Sequence, residues 1–178
     1  MLQQGRNVAD VAYFYGEEAP LTGLYGEKLV ADAPVNRAYD FVNFDALASA
    51  LTNDGNELVT PGGARYRALY LGGSSRKMTL AALRRIAALV EGGAVLVGKA
   101  PEESPGLGDD QAQYSALVAK LWPGSERAAV GKGQVIASSD IEAALGSIGA
   151  RPDFRFTGGA ANTDIPWLHR KPRQLILE

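Results

Sequence analysis

Short apolar runs that stop at glycine, interleaved with a strongly amphipathic helical pattern, constrain this 178-residue chain more than any other feature. Residues 8–15, VADVAYFY, are β-branched and aromatic and end at Gly16. Residues 68–71, ALYL, run into Gly72-Gly73-Ser74-Ser75, and residues 94–97, AVLV, run into Gly98. Runs this short and this uniformly apolar suit strands buried on both faces. Between the last two, Leu80, Leu83, Ile86, Ala87 and Val90 recur at helical spacing, with Thr79 as cap and Gly92-Gly93 as stop.

The remaining elements follow the same punctuation. Residues 39–44 predict a second strand, and a short helix follows over 45–51, capped by Asn43 or Asp45. Residues 57–66 predict a hairpin turned at Pro61-Gly62-Gly63. Asp109 opens a helix that turns Tyr114, Leu117, Val118 and Leu121 inward, and residues 133–137 predict a further strand. Ser139-Asp140-Ile141-Glu142 has the spacing of a capping box. Strands alternating with helices predict a mostly parallel sheet covered on both faces. The expected fold is a flavodoxin-like or class I glutamine amidotransferase-like doubly wound α/β domain over residues 1–150. Residues 151–178, where aromatics lie among glycines and prolines, form an irregular C-terminal extension.

Several function classes are excluded. The net charge is −2 and Lys and Arg are scattered, so there is no basic footprint for nucleic acid. No apolar run reaches the ~18 residues of a membrane helix, and no signal peptide is read at the N-terminus. Without cysteine there is no thiolate nucleophile, and one histidine, His169, cannot build a multi-histidine metal site.

Ligands of open α/β sheets sit beyond the carboxyl ends of the strands. That edge carries Gly16-Glu17-Glu18, Gly72-Gly73-Ser74-Ser75 and Gly98-Lys99. Adjacent residues on extended chain point opposite ways, so Glu17 and Glu18 do not read as a catalytic pair on one substrate; either a solvated loop mouth or a contact to ligand or neighbouring domain fits. Gly72-Gly73-Ser74-Ser75 could cradle an anion on backbone N–H groups, with Ser74 and Ser75 as substrate or domain contacts, but the helix starts only near Thr79, so its dipole is not aimed there and a flexible connection fits better. The acidic loop after the first strand would repel a flavin phosphate, and no Gly-x-Ser-x-Gly elbow is present. Trp167, His169 and Arg170 suit packing, or contacts to carbohydrate or another domain. No catalytic and no metal-binding residue is assigned.

Residues 2–6, LQQGR, followed by 8–14 and Gly16-Glu17, resemble the stretch that leaves the catalytic barrel in glycoside hydrolase family 106, the α-L-rhamnosidases. Residues 39–43 with 45–47, residues 65–69, residues 152–154 and Trp167-Leu168-His169-Arg170 are similar to successive parts of the same region, in order, over residues 2–171. The resemblance implies a much larger parent, often periplasmic or secreted: a calcium-dependent inverting enzyme with a glutamate acid and a glutamate base in a TIM barrel, accompanied by β-sandwich modules. Inversion places two carboxyls ~6.5–9.5 Å apart, and the resemblance puts both in the barrel, not at Glu17 or Glu18. It implies a non-catalytic accessory domain without cofactor, comparable to the amidotransferase-like domain of some β-galactosidases. Surface made for the barrel would then be exposed, which predicts a homo-oligomer, and residues 175–177, LIL, would pair with an exposed edge. The rival reading is a stand-alone small hydrolase or carbohydrate-binding module using Glu17, Glu18 and the 72–75 loop.

Overall fold

In the central strands, successive side chains enter two different apolar cores. Ala12, Phe14, Leu69, Leu71, Leu96 and Val135 go to one face; Val11, Tyr13, Ala68, Tyr70, Val95, Val97 and Ile136 go to the other. This is the period of two of a pleated strand, with neither face left to water. The computed structural model describes residues 5–17, 30–158, 165 and 167–171.

With strands numbered in chain order, the main sheet runs β3 (Tyr39–Val42), β2 (Val11–Phe14), β7 (Ala68–Leu71), β8 (Val95–Val97), β10 (Gly133–Ile136) and β9 (Arg127–Val130). Neighbours are parallel except for β9, which pairs antiparallel with β10. A second, antiparallel sheet holds β4 (Thr52–Asp54), β5 (Glu57–Val59) and β6 (Arg65–Tyr66). A third is a two-stranded ribbon of β1 (Arg6–Asn7) and β11 (Arg170–Lys171).

Helices α1 (Phe44–Ser49), α2 (Leu80–Gly92) and α3 (Gln111–Leu121) cover the first face, through Leu47, the α2 stripe of Leu83, Ile86 and Val90, and Tyr114 with Leu121. Among the described residues the second face receives one helix, α4 (Ile141–Ser147), through Ile141, Ala144 and Leu145.

The expected flavodoxin-like, amidotransferase-like doubly wound fold is therefore overturned. The main sheet is mixed, two antiparallel sheets accompany it, and helices are few and unevenly shared between the faces. The chain between β3 and β7 goes into α1 and a small sheet. On the second face an aromatic cluster does part of the covering: the Tyr13 ring lies 5.1 Å from Tyr70 and 5.2 Å from Phe41. Buried strands read as continuous apolar runs whatever lies over them, so the sequence carried no signal for the difference.

Local signals fared unevenly. Asn43 and Thr79 do cap α1 and α2. The predicted hairpin is two strands of a three-stranded sheet, whose first strand precedes a tight turn at Gly55-Asn56. The α4 cap is Asp140, not Ser139: its carboxylate accepts from Ala143 N at 2.9 Å. That leaves Glu142 unused for a capping box and available elsewhere. Residues 18–29, in the acidic loop expected after the first strand, and the tail at 175–177 lie outside the described residues.

Candidate functional site

Gly16 decides how the strand ends meet. Its φ is +109°, and a Cβ there would lie 2.4 Å from Ser74 Oγ and 2.8 Å from Ser75 N. Only glycine lets β2 end in contact with the loop after β7. Ser74 N then donates to Tyr15 O at 2.8 Å, and Ser75, buried, donates its N–H to Gly72 O at 3.1 Å. Both serines are thus part of the join between two strand ends.

Glu17 follows directly. One carboxylate oxygen accepts from Thr79 N at 2.7 Å and the other from the Thr79 hydroxyl at 3.0 Å. Thr79 Oγ1 accepts from Ala82 N at 3.2 Å, and Asp109 Oδ2 accepts from Leu80 N at 2.8 Å. Two carboxylates and one hydroxyl therefore serve the otherwise unpaired amides at the positive end of α2. The Leu80 amide and the Ser104 hydroxyl hold the Asp109 carboxyl below the usual carboxylate range. Glu18 lies outside the described residues.

Beyond the carboxyl ends of β7, β8 and β10 is a cavity of about 300 Å³, whose lining includes Asp32, Tyr70, Ser75, Arg76, Lys99 and Glu102. Its volume is at the small end for a ligand site. Asp32, which no sequence pattern singled out, accepts from the Tyr13 hydroxyl at 2.6 Å and from Gly73 N at 2.9 Å. Burial, then the Asp32 bond and charge, push the Tyr13 phenol far above its ordinary value. Burial likewise pushes Tyr70 up to about 12, with Asp32 and Asp140 adding to it. Arg76 is paired with Glu102. Both carboxylates of the cavity are thus engaged with the protein itself, while Lys99 has no ion-pair partner among the described residues.

Trp167, His169 and Arg170 lie elsewhere. Trp167 Nε1 donates to Val35 O at 3.2 Å, and its ring stacks on Phe154 at 5.5 Å. His169 Nδ1 is 2.8 Å from Asp153 Oδ1, and Arg170 donates to Gly5 O at 2.7 Å. Asp153 Oδ2 also accepts from Ala38 N at 3.1 Å. The sequence-proposed residues therefore divide into two places: Glu17, Ser74 and Ser75 at the strand ends, and Trp167, His169 and Arg170 against the 35–38 segment and the ribbon. Among the described residues no three His, Cys, Asp or Glu side chains converge to hold a metal ion. None of the described helices is long and apolar enough to cross a membrane.

Comparison with known proteins is consistent along the whole chain. Residues 1–175 match the family model of glycoside hydrolase family 106, described as alpha-L-rhamnosidase. The solved rhamnosidase from Novosphingobium sp. PP1Y is 62% identical, with a TM-score of 0.91, over 97% of this chain but 17% of its own. A glucuronidase-named protein of Formosa agariphila is 31% identical over 174 residues, 96% of this chain and 14% of that protein. The chain thus spans under a fifth of the length of the relatives it matches.

Proposed function

Because this chain belongs to the α-L-rhamnosidase family, glycoside hydrolase family 106, we propose that it is a non-catalytic accessory domain of a larger rhamnosidase-type enzyme. Its role is to support a catalytic TIM barrel, in the company of β-sandwich modules. The carrying observation is one of proportion: at 62% identity it corresponds to 17% of a rhamnosidase. The site geometry agrees. Glycoside hydrolysis asks for two carboxyls facing one bond, whereas Glu17 is spent on the α2 terminus and Glu102 on Arg76.

The test is hydrolysis of an aryl α-L-rhamnoside in the presence of calcium, comparing the chain with its Glu17→Gln and Glu18→Gln variants. No turnover above blank is expected from any of the three. Turnover that disappears in either variant would overturn the proposal and make the opening carboxylates a site. Saturable sugar binding without turnover would favour the rival, a carbohydrate-binding module, for which the cavity beyond the strand ends is the available space.

A further inference from the structure

Three of the six large apolar side chains left exposed among the described residues belong to two segments that meet, one around residue 35 and one around residues 154–168. Val35 is 70% exposed, Phe156 46% and Leu168 54%. The segments that carry them are far apart in sequence and are held together: Trp167 bonds to Val35 O and stacks on Phe154, Phe154 lies 6.2 Å from Phe156, and Phe154 N donates to Asn36 O, while Leu168 follows Trp167 in the chain. Arg37, nearly fully buried, is ion-paired with Glu142 and donates to Ala150 O at 2.7 Å, which fixes the 35–38 segment beneath the patch. A patch assembled this firmly and left to water marks an interaction surface.

The patch adjoins the β1–β11 ribbon. Arg6 faces Lys171 and Asn7 faces Arg170, and Val8 N donates to His169 O, next to Leu168. In a longer protein, chain arriving before residue 6 and leaving after residue 171 would pass side by side, within a few residues of the patch. Exposed Arg151 and Arg155 flank Phe154, and exposed Arg6 and Lys171 lie on the ribbon, so the surroundings are basic.

We infer that Val35, Phe154, Phe156, Trp167 and Leu168 form the docking surface for the domain of the same polypeptide to which the ribbon connects, and that this neighbour presents an apolar face with an acidic border. The inference rests on the accessory-domain reading and names the contact through which support is given. Its occupant follows from the ribbon's position and from the more than four-fifths of the 62% identical rhamnosidase that lies outside the matched segment.

Hydroxyl-radical footprinting tests it. The chain alone is compared with the same 178 residues grafted in place of the matching segment of the Novosphingobium sp. PP1Y rhamnosidase. Phe154, Phe156, Trp167 and Leu168 should label several-fold more slowly in the graft, while Leu107, fully exposed elsewhere, labels equally in both. Equal labelling of the patch overturns the inference. Labelling of the isolated chain that slows as its concentration rises also overturns it, by assigning the patch to a second copy. Should the graft not fold, the rhamnosidase and its own excised segment give the same comparison at the matching positions. The two proposals fail separately: an unprotected patch leaves the accessory reading standing, whereas rhamnoside turnover by the isolated chain removes it whatever the labelling shows.

Discussion

Glu17 shows how one carboxylate can be visible in a sequence and opaque in purpose. Its place after a buried strand was legible; its partner, Thr79, lies 62 residues away, and nothing local announces that. Glu17→Gln keeps an acceptor for the Thr79 amide but removes a charge from the positive end of α2, so about 0.5–1 kcal/mol of stability should be lost. Urea denaturation of the two proteins measures this. Gly16→Ala combines a positive φ with a Cβ driven into the 74–75 backbone, and should cost more, roughly 1–3 kcal/mol, read as a lower urea midpoint at unchanged slope. Tyr114 behaves oppositely. Its hydroxyl is buried without a hydrogen-bond partner among the described residues, and burial, with help from Asp109, Glu103 and Glu17, pushes its pKa up to about 12. Tyr114→Phe removes an unsatisfied polar atom and keeps the ring, so it should be neutral or stabilising in thermal unfolding. The sign for pH follows from the same shift. Above the ordinary phenol value of 10 the unfolded chain releases the proton first, so the folded state holds more protons. Stability therefore falls as pH rises from about 10 to about 12. The Tyr114→Phe variant should lose less stability over that window.

At the level of elements, the features read correctly were those written within a few residues. The caps of α1 and α2 and the spacing of the α2 stripe are local, and the sequence named them. Of the β9–β10 hairpin only β10 carries a strand signal: β9, Arg127–Val130, has two alanines and exposed positions. Glu142 was misassigned because a capping box and a tertiary ion pair use the same residue at the same spacing. In the fold its carboxylate accepts from Val35 N at 2.9 Å and Asn36 N at 2.8 Å and pairs with Arg37, more than a hundred residues away in sequence. This contact ties α4 to the segment that leads into β3. Glu142→Ala strands a guanidinium that is only 3% exposed, and losing one partner of a buried pair costs about 3–5 kcal/mol. A surface pair such as Lys120–Glu91, about half exposed on both sides, should cost no more than ~1 kcal/mol when Glu91 is replaced. Measuring both variants by denaturant unfolding separates a tertiary tie from a solvated one; equal losses would refute the distinction.

For the molecule as a whole, family membership was legible where architecture was not. Ordered short motifs spread over residues 2–171 pointed to the rhamnosidase family, and the matched region and the 62% identical structure agree. The arrangement of layers escaped because strand burial reports only that each face is covered, while the covering by the described residues is uneven: three helices on one face, one short helix and aromatic rings on the other. The candidate site escaped for the same reason, since Asp32, the residue that ties the cavity wall to Tyr13 and Gly73, lies in a stretch without local pattern. Calcium supplies the test at this scale. The family resemblance implies a calcium-dependent parent, yet among the described residues no three His, Cys, Asp or Glu side chains converge. A cation bound only by the folded chain at a hundred times its Kd would add about 2.7 kcal/mol. At this length each kcal/mol moves Tm by roughly 2–4 °C, so such a site would shift unfolding by about 5–10 °C. Thermal unfolding in millimolar calcium and in excess chelator should therefore superimpose. A shift of that size would instead place a metal site in this chain.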